Sequence, residues 1–194
     1  EKLIFAAQEG LKSAINYIKK NKQETFLSDL GKEIESAIKN NGKQPIVNLT
    51  GHSMNQYDLH SGISVSNVEN NNETPLGLGL VAIEPFTTSE GGVGRVKNGI
   101  NSGIYLLMDL KPIRSPLARK ILKYIHENYN TLPFCSRWLV DEFGTTALLA
   151  LRQLEKNGNL HNFPQLIETS GTRVAQAEHT LFIEDGKDVL ITTE

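Results

Sequence analysis

Two histidines eight residues apart, His52 and His60, stand in a loop rich in Gly, Asn, Ser and Asp that covers residues 48–62. Further along, two glutamates, Glu84 and Glu178, interrupt otherwise apolar, strand-like runs. Imidazole nitrogens and carboxylate oxygens form a donor set suited to divalent Mn, Fe, Co or Zn rather than a thiolate site. The spacing raises an objection. Eight residues leave the imidazoles ~26 Å apart on a straight strand and ~12 Å apart along a helix, so they meet only if Gln56, Tyr57 and Asp58 turn the chain. Taken alone, the pair reads first as two surface histidines on an ordinary loop. Glu84 either faces water at a sheet edge or is held ionised by a cation, because burying it unpaired is costly. Glu178, beside His179 in a second apolar run, poses the same question.

The elements that must position these groups follow from periodicity. Ile4, Ala7, Leu11, Ala14 or Ile15, and Ile18 recur at helical spacing. Phe26, Leu30, Ile34 and Ala37 or Ile38 repeat the pattern, with Ser28 or Thr25 available as a cap and Gly42 as a stop. Two amphipathic helices of this kind should lie against an apolar sheet. Residues 45–49, 76–86, 104–110, 173–183 and 189–192 read as its strands, with Gly186 turning the last hairpin. Asn67 and residues 70–72 mark exposed loop, and the five glycines of residues 89–103 a mobile one. Neither GxGxxG nor GxxxxGK[ST] is present, so a nucleotide cradle has no support.

Between the third and fourth of those strands the pattern turns helical, on Leu117, Ile121 and Ile125, then Trp138 and Leu139, then Leu148, Leu151 and Leu154. The expected plan is a sheet-and-helix domain of residues 1–112 and 167–194 with a winged-helix-like insertion at 113–166. Seven basic against four acidic residues make the insertion mildly basic, and its side chains are expected to serve packing, with Cys135 and Trp138 in its core. His126 and His161 receive no role. Over the whole chain of 194 residues the net charge is -2. That argues against a dedicated nucleic-acid or membrane-surface protein and favours a small-molecule or peptide partner. A single cysteine excludes an intrachain disulfide and suits a reducing cytoplasm. No secretory or transmembrane stretch is evident. The opening on Glu1, already in helical phase, is what a cut piece would show.

Gly51-His52-Ser53-Met54, Leu59-His60-Ser61-Gly62, Ala82-Ile83-Glu84-Pro85-Phe86 and Gln176-Ala177-Glu178-His179-Thr180 occur in that order, with the helical insertion between the last two. As a set, and over essentially the whole chain to the closing residues 191–194, they resemble type 2 methionine aminopeptidases, particularly the archaeal ones. The resemblance implies an α+β chain, half or more of a pita-bread metallopeptidase fold with a curved antiparallel sheet. It implies two divalent metal ions (Co, Mn, Fe or Zn), His52 and Glu84 binding one and Glu178 bridging both. Glu84 would carry the proton from an activated water. His60 would contact the substrate near the scissile bond and Leu59 would line the methionine pocket; His179 has no comparable assignment, a place behind the ligands being the reading left open for it. The substrate would be the N-terminal methionine of nascent polypeptides.

The departures are specific. The family supplies two aspartate ligands and a further histidine from the first half of its fold, and no aspartate here has the matching context. Three of five protein ligands should hold metal weakly, so this chain alone is expected to be inactive until the missing half joins it. Met54, Ser61 and Ala177 also differ from the usual residues. The alternative is a non-catalytic pita-bread protein that binds protein or RNA, and a third reading, DNA binding by the insertion, predicts steeply salt-dependent affinity.

Overall fold

The computed structural model describes residues 1–193; Glu194 lies outside the described residues, as does the side chain of Gln23. The elements are, in chain order, helices α1 (Lys2–Asn21) and α2 (Leu27–Asn40) and strands β1 (Lys43–Pro45), β2 (Thr50–Met54) and β3 (Ser64–Ser66). Strands β4 (Gly79–Ile83), β5 (Phe86–Ser89) and β6 (Val96–Leu107) come next, then α3 (Pro116–Asn128), β7 (Phe134–Cys135), α4 (Ser136–Phe143) and α5 (Ala147–Lys156). Strands β8 (Leu160–Glu168), β9 (Val174–Gln176), β10 (His179–Ile183) and β11 (Leu190–Ile191) close the chain. Two compact units result, one of Glu1–Lys97 with Ile167–Glu194, the other of Asn98–Leu166. Among the described residues no helix is long and apolar enough to cross a membrane.

In the first unit, Leu11, Ala14 and Ile18 of α1 and Leu30, Ile34 and Ile38 of α2 are buried with Val81, Ile83, Leu181 and Ile183 of the sheet. Burying each Leu or Ile contributes about 1.5–3 kcal/mol. Because side chains alternate across a strand, the helices cover the odd-numbered positions of β4 and β10, and the even-numbered ones point to the other face. The start of α2 departs from expectation. Neither Thr25 nor Ser28 caps it; the backbone N–H groups of Leu27 and Ser28 donate instead to the carbonyls of Thr74 (3.0 Å) and Asn72 (2.9 Å). The orphan donors of the first turn are thus met by a neighbouring segment. Gly42 follows the last turn with φ +63°, as its place in the sequence suggests.

The antiparallel strands form a five-stranded sheet, β11-β10-β4-β2-β3, and a three-stranded one, β1-β5-β9. Three segments pass from one sheet to the other in the same lateral order: β1 into β2, β4 into β5 and β9 into β10. The two residues between β4 and β5 are Glu84 and Pro85, and those between β9 and β10 are Ala177 and Glu178. At this kink the ladder is broken, in part because proline cannot donate. Asn67 fills the gap: its Nδ2 donates to the Leu49 carbonyl (2.7 Å), and its Oδ1 accepts from the backbone N–H of Phe86 (3.1 Å). It is 1% exposed, so the exposed-loop reading of Asn67 is corrected. The side chain that resembles a loop marker replaces two missing backbone partners.

The glycine-rich stretch is also tied down. The Glu168 carboxylate accepts from the backbone N–H groups of Val93 (2.7 Å) and Gly94 (3.1 Å) through Oε1, and from Ser170 N (2.7 Å) and Thr172 Oγ1 (3.0 Å) through Oε2. Hydrogen bonds from Ser170 lead the causes that hold its pKa down to about 2. Thr169 adds N–H and hydroxyl donation to the Arg95 carbonyl (2.9 and 2.8 Å). The remaining glycines, Gly99 and Gly103, lie within β6, so strand and staple replace the expected loose loop.

The second unit packs α3, α4 and α5 over β7-β6-β8. Ile121, Ile125, Phe134, Leu139, Leu151 and Leu154 are fully buried in it. Pro116 opens α3, and Ser115 Oγ accepts from Ala118 N (3.3 Å). Trp138 is 48% exposed and Cys135 half-buried, which corrects their expected place in the core. The buried Leu139 is the side chain with which α4 enters the cluster, and its predecessor in the helix points elsewhere.

Candidate metal centre

The open face of the five-stranded sheet is built row by row. His52 pairs with Ala82, and Ala82 with Thr180, so these three share the face opposite the helices. Glu84 continues the even-numbered series of β4, and Glu178 that of β10. Gly51 makes the row possible. A Cβ placed there would stand 2.2 Å from the Ala82 carbonyl oxygen, so a larger residue before His52 would drive β2 and β4 apart.

The turn that the histidine spacing requires is present. Asn55 and Asp58 exchange both backbone hydrogen bonds (2.9 and 3.0 Å), and Tyr57 takes a left-handed conformation with φ +59°. The returning strand is fixed to the outgoing one, Ser61 N donating to the Ser53 carbonyl (2.9 Å). The Ser53 hydroxyl also accepts from Ser61 Oγ and from Ile63 N, both at 3.0 Å. As a result the rings of His52 and His60 lie 4.3 Å apart, edge to face.

His52 Nε2 lies 3.1 Å from Glu84 Oε1. Yet Glu84 Oε1 is buried without a hydrogen-bond partner; the two atoms are close but not aligned for donation. The titration behaviour fits that picture. Burial, and then the neighbouring His60, lower the pKa of His52, while burial, and then the charge on Glu178, raise that of Glu84 to about 7. Each group is pushed toward its neutral form, so the contact is not a settled salt bridge. His52 Nδ1 lies 3.4 Å from the Ser53 carbonyl, an acceptor; a proton on that nitrogen would leave the Nε2 lone pair facing Glu84. A histidine nitrogen and a buried carboxyl oxygen that face each other at 3.1 Å without a hydrogen bond, both disfavoured in their charged forms by burial, are what a divalent cation would satisfy.

Glu178 reaches this pair through Gln176, whose side-chain Nε2 donates to Glu84 Oε2 (2.8 Å) and to Glu178 Oε2 (3.1 Å). Among the described residues no group of three or more His, Cys, Asp or Glu side chains converges closely enough to hold a cation. The structure therefore unites His52, His60 and Glu84 and brings Glu178 within one amide of them. Leu59 is half-buried beside the exposed His60. His179, at an odd position of β10, lies with Leu11 and Ile15 of α1 on the helix side, and its Nδ1 is 3.0 Å from Thr193 Oγ1. Gln176 was not singled out from the sequence, although a position two residues from Glu178 on one strand shares its face. Gly51 enters the sequence reading only as part of a motif and Asn67 only as a loop marker, and nothing local distinguishes the roles they take from those of ordinary turn residues.

No family model matches the chain. Among known proteins it is similar to the methionine aminopeptidase of Archaeoglobus fulgidus, 41% identical over 191 residues that make up 98% of this chain and 62% of that protein. To that of Pyrococcus horikoshii it is 40% identical over 197 residues, 100% of this chain and 65% of the relative. To that of Methanocaldococcus jannaschii the identity is 39% over 193 residues, 99% and 63%. The chain thus spans just under two thirds of the length of these relatives. Of solved structures it is similar to a thermophilic Arx1 (TM-score 0.74, 14% identity, 97% of this chain and 55% of that one). The methionine aminopeptidase of Thermotoga maritima is a further neighbour (TM-score 0.56, 18% identity, 99% and 51%). These structural likenesses show the fold, which is the pita-bread fold.

Proposed function

Because the chain is a relative of the archaeal methionine aminopeptidases over nearly its whole length, at about 40% identity, we propose that it supplies part of a metallopeptidase site that removes N-terminal methionine from polypeptides. The observation that carries this reading is the buried, unpartnered Glu84 Oε1 standing 3.1 Å from His52 Nε2. His52 and Glu84 would hold one divalent cation, and Glu178 would be shared with a second. Such cations, of Co, Mn, Fe or Zn, would polarise the scissile carbonyl and lower the pKa of a water.

The remaining work falls to this chain's own side chains. Glu84, with a pKa raised to about 7, can take up a proton near neutral pH and release it to the departing amine. His60, exposed and edge-on to His52, can donate a hydrogen bond to the substrate carbonyl. Leu59 offers apolar surface to the methionine side chain. With two glutamates and one histidine as its ligands, this chain holds metal weakly and does not turn over substrate until a complementary segment adds further carboxylates.

Two measurements test the reading. Calorimetric titration with manganese chloride should show weak binding that Glu84→Gln abolishes and His60→Ala leaves within about threefold; equal binding by the Glu84→Gln chain would refute the ligand assignment. Methionine release from a Met-Ala-Ser peptide should be absent with this chain alone. It should appear when a separately expressed chain carrying the remaining part of the Archaeoglobus fulgidus relative is added. Turnover by this chain alone would show the site to be sufficient as it stands. A well-folded mixture without turnover would favour a binding protein built on the same fold.

A further inference from the structure

We propose that the second unit carries a docking groove for an acidic amphipathic helix of a partner protein, formed between α3 and the segment that leads into it. The groove has a volume of about 440 Å³, with Leu110, Ile113 and Leu122 along its floor and Lys111, Arg119 and Lys123 on its rim. Leu110 is 51% exposed, an uncovered apolar anchor point framed by cations.

The groove is built rather than accidental. Its outer wall belongs to no helix or strand, yet five of its carbonyls, those of Asp109, Lys111, Pro112, Ile113 and Arg114, are engaged from behind. The buried Asn159 donates through Nδ2 to the carbonyls of Asp109 (3.0 Å) and Lys111 (2.8 Å), and Asn157 to that of Pro112 (3.1 Å). Arg119 Nη1 donates to the carbonyls of Ile113 (3.2 Å) and Arg114 (3.1 Å). A wall fixed in this way does not have to be ordered when a ligand arrives, which lowers the entropic cost of binding.

Charge selects the occupant. Residues 98–166 hold eight Lys and Arg against five Asp and Glu, whereas the rest of the chain holds twelve against seventeen. The acidic side chains facing the rim do not neutralise it: Asp109 is 3.9 Å from Lys111 and Glu127 is 3.7 Å from Lys123, and both pairs are exposed. A helix with leucine-like anchors one turn apart and glutamates on either flank would seat its anchors on the floor and pair its carboxylates with the rim. An RNA strand fits less well. Leu110, Ile113 and Leu122 make the floor aliphatic, and His126 is the one aromatic ring among the groove's lining residues, fewer than the successive stacking platforms that a strand of bases uses. The outer face of α5 presents Leu148 and Leu149, 45% and 61% exposed, where a reader of bases would present polar groups.

Fluorescence anisotropy on the full chain tests this with three probes: a fluorescein-labelled peptide with two leucines one helical turn apart amid glutamates, its lysine-for-glutamate counterpart, and labelled oligouridine. The acidic peptide should bind best, with affinity that falls as salt rises. Leu110→Ser and the pair Lys111→Glu with Lys123→Glu, all at exposed positions, should each weaken it at least tenfold while leaving the circular dichroism spectrum unchanged. The proposal is overturned if the lysine peptide or the oligouridine binds as tightly, if the variants bind the acidic peptide unchanged, or if that peptide does not bind.

Discussion

Replacing Asn67 by alanine removes a side chain that stands in for two backbone partners at the kink. The Phe86 N–H loses an acceptor at 3.1 Å and the Leu49 carbonyl a donor at 2.7 Å, in a place where the side chain itself is 1% exposed. Each buried polar group left unpaired costs about 1–3 kcal/mol, so the two together cost about 2–6 kcal/mol, less whatever a water entering the gap restores. Taking about 3 kcal/mol and roughly 2–4 °C per kcal/mol for a chain of this size, the melting temperature should fall by about 6–12 °C in a thermal scan followed by far-ultraviolet circular dichroism. Asn67→Asp keeps an acceptor for Phe86 but opposes a second oxygen to the Leu49 carbonyl, so it should recover little. Because Glu84 lies two residues before Phe86, manganese affinity in the calorimeter should drop along with stability. An Asn67→Ala chain that melts within 1 °C of the parent would refute the claim that this amide completes the sheet.

Three other outcomes follow from the packing. Gly51→Ala, whose Cβ would stand 2.2 Å from the Ala82 oxygen, should cost about 1–3 kcal/mol in urea unfolding. Gly91→Ala, with nothing within 4 Å, should be neutral, and equal midpoints for the two variants would contradict the steric account. Glu168 has a pKa of about 2 in the folded chain against an ordinary 4.5, so between those values the unfolded chain binds the extra proton. Its contribution is therefore complete above about pH 5 and is lost as pH falls toward 2. Glu168→Gln should flatten that part of the curve of urea midpoint against pH, and parallel curves for the two proteins would count against the staple. Ser53→Ala deletes the hydroxyl that accepts from Ser61 and Ile63. It should loosen the returning strand and abolish the mutual ring-current shifts of His52 and His60 in proton spectra, and unchanged shifts would mean that the turn alone holds the rings together.

The parts of this fold that were legible in the sequence are those governed by a period. The stripes of α1 and α2 and the apolar runs of β4 and β10 register on a helix or strand template because the burying partner is a broad surface, indifferent to detail. Glu84 and Glu178 stood out for the related reason that a carboxylate breaks such a run. The meeting of His52 with His60 was legible only as a condition, since it depends on a left-handed Tyr57, a conformation that no tyrosine advertises. Asn67 was read as loop because asparagine serves loops and plugs equally well, and only the geometry of three crossing strands decides between them. Trp138 was placed inside on its hydrophobicity, whereas one position of rotation along a short helix gave the interior to Leu139. The order of the four motifs points to the same fold independently of these periods, which explain why that fold can form.

The clamp made by Glu168 and Thr169 also bears on how this chain could be remodelled. Val93, Gly94 and Arg95 lie just before the chain departs at Asn98, and Glu168 and Thr169 just after it returns at Leu166. The two ends of the excursion are thus joined by hydrogen bonds that belong wholly to the first unit. A host that holds its own cut ends together treats whatever lies between them as cargo. Since loop-closure entropy grows only logarithmically with length, that position can accept a longer, shorter or foreign segment, which makes it the natural place at which to graft a reporter or a new binding module without touching the sheet.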